Sequence, residues 1–78
     1  MIFVTNDHVM GSNIRRLRQQ EYLTREEFAK KLGITVSTLR DIENGKTLEI
    51  EAWVLNQICD YFSTDVKTLV EKSLENIL

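Results

Sequence analysis

The clearest pattern of apolar and polar positions at helical spacing lies between Thr24 and Gly45. Thr24 and Glu27 have the spacing of a capping box, in which a hydroxyl and a carboxylate each accept from a free backbone N–H at a helix start. One apolar side follows at helical spacing, made by Phe28, Ala29 and Leu32. Gly33 suits a helix end, where glycine takes the left-handed conformation without steric cost. The pattern predicts a short, half-buried helix.

A second short helix is predicted directly after the first. Ile34 is the apolar residue of the turn, and the hydroxyl of Thr35 can cap the new helix. Leu39 and Ile42 are three residues apart and face the apolar side of the preceding helix. Asn44-Gly45 ends the second helix. Two short helices joined by a tight turn that contains glycine form a helix-turn-helix.

Apolar stripes at the same spacing predict one helix before this unit and another after it. Asn6 or Asp7 can cap the earlier helix, which runs to about Glu21. Its apolar positions are Val9, Met10, Ile14 and Leu17. A loop from Lys46 to Glu51 leads to the later helix. The apolar positions of that helix are Ala52, Leu55, Ile58, Cys59 and Phe62, with Trp53 or Val54 at their edge.

Asp65 can cap a fifth helix, whose apolar stripe continues beyond the residues that a five-helix core needs. The stripe consists of Val66, Leu69, Val70, Leu74, Ile77 and Leu78. We expect residues 1–6 to form an arm, either a short strand or disordered, residues 7–70 the helical domain, and residues 71–78 a helical tail. A chain this short buries only about 60% of its unfolded surface, so pairing of subunits would stabilise it. Because the apolar tail lies beyond the core, we expect a homodimer whose interface covers the tail.

Composition excludes several classes of protein. The chain has no apolar run near the length of a membrane span, so no membrane partner is expected and the location should be cytoplasmic. The only cysteine, Cys59, allows no intramolecular disulfide, and the only histidine, His8, has no second metal ligand beside it. No pairing of nucleophile and base is present, so neither an enzyme nor a cofactor or small-molecule site is expected.

These fragments together resemble the Cro and phage-repressor family of helix-turn-helix proteins, also called XRE-type. The resemblance covers roughly Met10 to Val70. Its carriers, in order, are Ile14-x-x-Leu17-Arg18, Leu23-Thr24, Glu27-Phe28-Ala29, Lys31-Leu32-Gly33-Ile34-Thr35 and Ile42-Glu43-Asn44-Gly45-Lys46. It implies a compact all-α domain of five helices that binds double-stranded DNA as a transcriptional regulator, a repressor acting as a dimer on an inverted-repeat operator. It also implies a structural ion pair between Arg18 and Glu43.

The resemblance implies a set of DNA-binding residues as well. The second helix of such a unit lies in the major groove, and its outward side chains meet base edges. With Leu39 and Ile42 inward, the candidates on and beside this face are Thr35, Val36, Ser37, Arg40, Asp41 and Asn44. Arg25, at the start of the preceding helix, and Lys46 match positions that contact phosphates, as does Asn44. Arg15 and Arg16 are expected on a solvated face.

Charge leaves a second interpretation open. The formal net charge is −2, with eight Lys/Arg against six Asp/Glu in residues 1–46 and two against six in residues 47–78. The basic excess on the helix-turn-helix half suits DNA, whose phosphates dominate affinity, but it is small. The alternative is a protein-interaction module, such as an antitoxin or a regulator-binding partner, that uses the acidic half.

The sequence departs from the family at the start of the fourth helix. The family usually opens this helix with Pro and Ser or Thr, and here Ile50 and Glu51 leave that cap missing.

Overall fold

The computed structural model describes residues 3–5, 8–47 and 49–71. Within these ranges five helices follow one another: α1 (His8–Gln20), α2 (Arg25–Leu32), α3 (Val36–Glu43), α4 (Ala52–Phe62) and α5 (Val66–Glu71). Two short strands, β1 (Phe3–Thr5) and β2 (Glu49–Glu51), complete the described fold. The predicted five-helix domain is confirmed. None of the helices in these ranges has the length and apolar character needed to span a bilayer.

The strands correct one prediction and decide between two others. The loop expected from Lys46 to Glu51 contains β2, which pairs antiparallel with β1 so that Val4 lies opposite Ile50. Ile50 is buried between an exposed Glu49 and a half-buried Glu51, the period of a strand. Its partner lies far away in sequence, so the local pattern did not reveal the pairing. Of the two alternatives for residues 1–6, a short strand is present at Phe3–Thr5.

The helix boundaries follow from local hydrogen bonds. At the start of α2 the Thr24 hydroxyl accepts from the Glu27 N–H at 3.1 Å, and the Glu27 carboxylate accepts from the Thr24 N–H at 2.9 Å. The backbone bond from Thr24 lowers the pKa of Glu27. Gly33 ends the helix at φ 75°, and the Thr35 hydroxyl caps α3 by accepting from the Thr38 N–H at 3.1 Å. The predicted capping box, glycine end and threonine cap are confirmed.

The later caps also agree with prediction. Asp65 caps α5 by accepting from the Thr68 N–H at 2.8 Å, and this bond lowers the pKa of the Asp65 carboxyl. Glu51 precedes α4 without a side-chain cap bond, as expected. The proposed caps Asn6 and Asp7 and the tail residues Leu74, Ile77 and Leu78 lie outside the described residues.

One apolar core joins all five helices and β2. Its buried members are Met10, Ile14, Phe28, Ala29, Leu32, Leu39, Ile42, Ile50, Val54, Leu55, Ile58, Cys59 and Leu69. The Phe28 ring meets that of Tyr61 edge-to-face and that of Phe62 at a tilt, with ring centroids 5.5 and 5.3 Å apart. Val54 faces the core, whereas Trp53 is 47% exposed. Burial of Cys59 raises the pKa of its thiol, as suits the small apolar side chain that the sequence predicted.

Gly11 sets the distance between α1 and α3. A Cβ at this position would lie 2.4 Å from the carbonyl oxygen of Ile42 and 3.0 Å from that of Glu43, both backbone atoms at the end of α3. No rotamer change can relieve contacts with backbone. On the same helix, Asn13 is buried and donates its amide to the Leu69 carbonyl of α5 at 2.8 Å. Helix α1 therefore fixes the positions of α3 and α5.

Replacing Gly11 with Ala tests this close approach. In an unobstructed helix the substitution would stabilise the protein by about 1 kcal/mol, because alanine is the better helix former. Here we expect a net loss of about 1 to 3 kcal/mol, the cost of overpacking. Chemical denaturation of the variant measures the change, with Ser12→Ala on the next position of α1 as the control. A gain in the free energy of unfolding for Gly11→Ala would contradict the observed packing.

Candidate nucleic-acid interface

One side of helix α3 is buried in the core, and the other side faces solvent. Leu39, Ile42 and Glu43 are buried, whereas Ser37 and Arg40 are exposed. Among the other candidates, Thr35, Asn44 and Lys46 are exposed, and Val36 and Asp41 are half-buried. The predicted outward face is therefore exposed only in part, because Val36 also packs against the core and Asp41 lines a groove. The contacts of these candidate residues with DNA remain predictions.

Glu43 is the last residue of this helix, and its buried carboxylate is bound by arginine. The Arg18 Nε donates to Oε2 at 2.7 Å and its Nη2 donates to Oε1 at 3.1 Å, a forked pair. The Glu43 side chain has no exposed area and that of Arg18 is 10% exposed. A third Arg18 nitrogen donates to the Leu23 carbonyl at 2.8 Å, in the turn before α2. The predicted structural ion pair is confirmed.

Arg25 contacts the same carboxylate. Its Nε donates to Oε1 of Glu43 at 3.0 Å, while its side chain stays 32% exposed. The family resemblance implied only a phosphate contact for Arg25, although a cation at a helix start opposes the helix dipole. The ion pair supplies a second reason for arginine at this position. Nothing in the local sequence pattern indicated it, since the start of α2 meets the end of α3 only in the folded chain.

Arg15 was expected on a solvated face, and the structure corrects this in part, because the side chain is 37% exposed but also contacts the end of α3. The side chain is half-buried, with its Nε 3.7 Å from Oε1 of Glu43 and its Nη2 3.4 Å from the Glu43 carbonyl. It also donates to Oδ1 of Asn44. Since a guanidinium only donates, this bond turns the amide nitrogen of Asn44 away from Arg15. The amide nitrogen of the exposed Asn44 side chain is therefore not used in this bond.

Arg15, Arg18 and Arg25, gathered around Glu43, are called the arginine cluster below. Three guanidinium groups share one carboxylate, which leaves a local excess of two positive charges. Arg15 and Arg25 are the partly exposed members. Such a fixed, partly exposed excess attracts phosphate and other anions. Arg15 is not among the DNA-binding candidates that the sequence predicts, and its place in the cluster makes it a further candidate.

Lys46 and Asp41 meet through the backbone after α3. The N–H of Lys46 donates to the Asp41 carbonyl at 2.9 Å, which shapes the turn at the end of the helix. The Lys46 side chain is exposed beyond this turn. Asp41, in contrast, lines a groove against β2 and α4 rather than standing on the open face. The two flanks of α3 thus differ in charge, with arginines near Glu43 and a carboxylate at Asp41.

A family model described as a helix-turn-helix domain matches residues 9–71. The chain belongs to the helix-turn-helix domain family. This family consists of transcriptional regulators, which are in general not enzymes. The match agrees with the resemblance drawn from the sequence, and the five helices and the ion pair agree with the fold expected of it. No curated protein sequence matches the chain significantly.

Solved structures share the fold of this helix-turn-helix domain. The N-terminal DNA-binding domain of SinR from Bacillus subtilis has a TM-score of 0.76 and 24% identity, over 86% of this chain and 97% of that one. The restriction-modification controller protein C.AhdI from Aeromonas hydrophila has a TM-score of 0.70 and 19% identity, over 80% and 92%. A LexA SOS-response repressor from Eubacterium rectale has a TM-score of 0.79 and 20% identity, over 100% and 82%.

Replacing Glu43 with Ala tests the arginine cluster. The substitution leaves the buried Arg18 guanidinium without its carboxylate, so we expect a loss of about 3 to 5 kcal/mol in the free energy of unfolding. Denaturant titration measures it, with Glu21→Ala, an exposed carboxylate in the turn after α1, as the control. The control should change stability by less than about 0.5 kcal/mol. An equally small effect for Glu43→Ala would refute the structural role of the pair.

Proposed function

We propose that this helix-turn-helix domain is a sequence-specific, double-stranded DNA-binding transcriptional regulator, a repressor, that acts as a cytoplasmic dimer on an inverted-repeat operator. The observation that carries the proposal is the exposed face of α3, held on α1 and α2 by the arginine cluster. Family membership supports it, and SinR, which shares the fold at 24% identity, has been solved in complex with DNA.

Base contacts are assigned to the exposed side of α3. Arg40, in the last turn, can donate two hydrogen bonds to a guanine or one to a phosphate. Asp41 can accept from a cytosine amine only at the edge of this side, because it also lines the groove against β2 and α4. Val36 offers a methyl surface for a thymine, although part of that surface packs on the core. Ser37 and Thr35, both exposed, hydrogen-bond either bases or phosphates and discriminate little. The proposed base contacts are therefore few.

Phosphate contacts are assigned to the arginine cluster and the turn after α3. Arg25 uses its Nε for Glu43, so it offers its terminal nitrogens to a phosphate on one side of the groove. Asn44 presents its amide nitrogen, and Lys46 and Arg15 add positive charge beside it. Contacts of this kind fix orientation and register without reading sequence.

A second candidate is a protein-interaction module. The observation that favours it is the acidic side of the molecule, where Asp41 of α3 faces Glu49 and Glu51 across a groove. A regulator should bind duplex DNA with an affinity that falls steeply as salt rises, because counterions are released, whereas a pure interaction module should bind no duplex even at low salt. Binding of duplex DNA by the purified protein at several salt concentrations therefore distinguishes the two candidates.

Substitutions of Arg25 and of Arg40 should weaken different kinds of DNA binding. Arg25→Gln keeps a donor for Glu43 but removes the charge, so we expect weaker binding to all duplexes and a salt slope flatter by about one unit. Arg40→Ala should cost about 1 to 3 kcal/mol on the preferred duplex and leave non-specific binding almost unchanged, if Arg40 reads a guanine. Fluorescence anisotropy with duplexes selected from a random pool measures both.

Lys67→Ala is the matched control, because Lys67 is an exposed cation on α5, a helix to which no DNA contact is assigned. It should leave sequence preference and the salt slope as in the parent. If all three variants had the same sequence preference and the same salt slope, the roles assigned to Arg25 and Arg40 would be wrong. Failure of the parent to bind any duplex at low salt would overturn the proposed function and favour the interaction module.

The proposed dimer is tested by shortening the chain. Leu74, Ile77 and Leu78 extend the apolar stripe of α5, and their sequence positions are the reason to expect pairing there. Two-fold pairing would place two copies of α3 about 34 Å apart, one turn of the duplex. Sedimentation should give a dimer for the full chain and a monomer for a chain cut after Val70. A full chain that stays monomeric at micromolar concentrations would contradict the dimer.

A further inference from the structure

A groove of about 460 Å³ lies between α3, β2 and the start of α4. Its apolar lining consists of Ile34, Ile42, Ile50 and Val54. Three carboxylates, those of Asp41, Glu49 and Glu51, lie around it, and none of the described residues that line it is lysine or arginine. This feature is called the acidic groove below. Its volume falls within the range of about 300 to 1,000 Å³ in which proteins hold small ligands.

Trp53 forms one wall of the acidic groove. The side chain is 47% exposed, and its indole N–H donates to the Glu51 carboxylate. Core packing does not explain this tryptophan, since the neighbouring Val54 and Leu55 fill the inner side of α4. An exposed indole face attracts a cation, most strongly a planar guanidinium. The aromatic wall and the carboxylates therefore favour the same kind of group.

The acidic groove is unsuited to the DNA backbone. Carboxylates repel phosphates, and the described residues that line the groove include no arginine or lysine, in contrast to the arginine cluster near Glu43. Thr38 and Asp41 belong to α3 and also line the groove. An occupant of the groove would therefore touch the helix assigned to the major groove of DNA.

We propose that the acidic groove binds a short basic segment of a partner protein. An arginine of that segment stacks on Trp53 and pairs with Glu49 and Glu51, while its methylene stem and an apolar neighbour cover the aliphatic floor. The complementarity of charge and of apolar surface identifies this occupant. The interaction goes beyond the proposed DNA binding and does not depend on it.

Trp53 supplies a reporter at the site itself, since the chain has one tryptophan. The probe is an acetylated and amidated Arg-Leu-Arg peptide, titrated against the full chain while tryptophan fluorescence is recorded. The control peptide has citrulline in place of each arginine, which preserves shape and removes charge. We expect a saturable change with the arginine peptide and none over the same range with the citrulline peptide.

Charge-removing variants locate the interaction. The double variant Glu49→Gln, Glu51→Gln keeps Trp53 and should raise the Kd of the arginine peptide about fivefold, as expected for the loss of two partly exposed ion pairs. The matched control is Glu21→Gln, Glu26→Gln, which removes the same charge from exposed positions that do not line the groove. Circular dichroism verifies that both fold. The control should bind as the parent does.

Three results would overturn the proposal: no saturable fluorescence change with the arginine peptide, an equal response to the citrulline peptide, or an equal Kd for the two double variants. A duplex that alone changes Trp53 fluorescence as the peptide does would overturn it too, because the groove would then belong to the DNA face. If the protein binds no duplex at all, the proposed function fails, and the peptide titration still decides this proposal by itself.

Discussion

The arrangement of the three central helices depends on one buried carboxylate. Glu43 ends α3 with its side chain out of contact with solvent, and it is held by Arg18 of α1 and Arg25 of α2. A buried carboxylate is costly unless positive partners and hydrogen bonds surround it, so the helices cannot shift independently without exposing or stranding charge. The orientation of the α3 surface is therefore tied to the positions of α1 and α2.

Packing and polarity act at the same place. Gly11 lets the backbone of α1 approach the last turn of α3, where the Glu43 carbonyl accepts from Arg15. A larger residue at Gly11 would push the two helices apart just where the charged groups need short distances. The close backbone contact and the ion pairs thus support each other. Asn13, two residues further along α1, attaches α5 on another side of the same helix.

Features encoded by neighbouring residues could be predicted from the sequence. The capping box at Thr24 and Glu27, the left-handed Gly33 and the Asp65 cap each depend on residues within one turn of helix, and all are present. The fold class and the pairing of Arg18 with Glu43 came from the family resemblance. Features formed by distant segments could not be predicted, because no local period records them. Strand β2, the contacts of Arg15 and Arg25 with Glu43, and the acidic groove are all of this kind.

The pairing of β1 with β2 has a consequence for the order of folding. Thr5 pairs with Glu49, and α1, α2 and α3 lie between them in the chain. Closing so long a loop costs entropy that local helix contacts do not, so the strands should pair after the helix-turn-helix has formed. During synthesis on the ribosome, β1 emerges well before its partner exists. The nascent chain must carry an unpaired β1 until translation has passed Glu51.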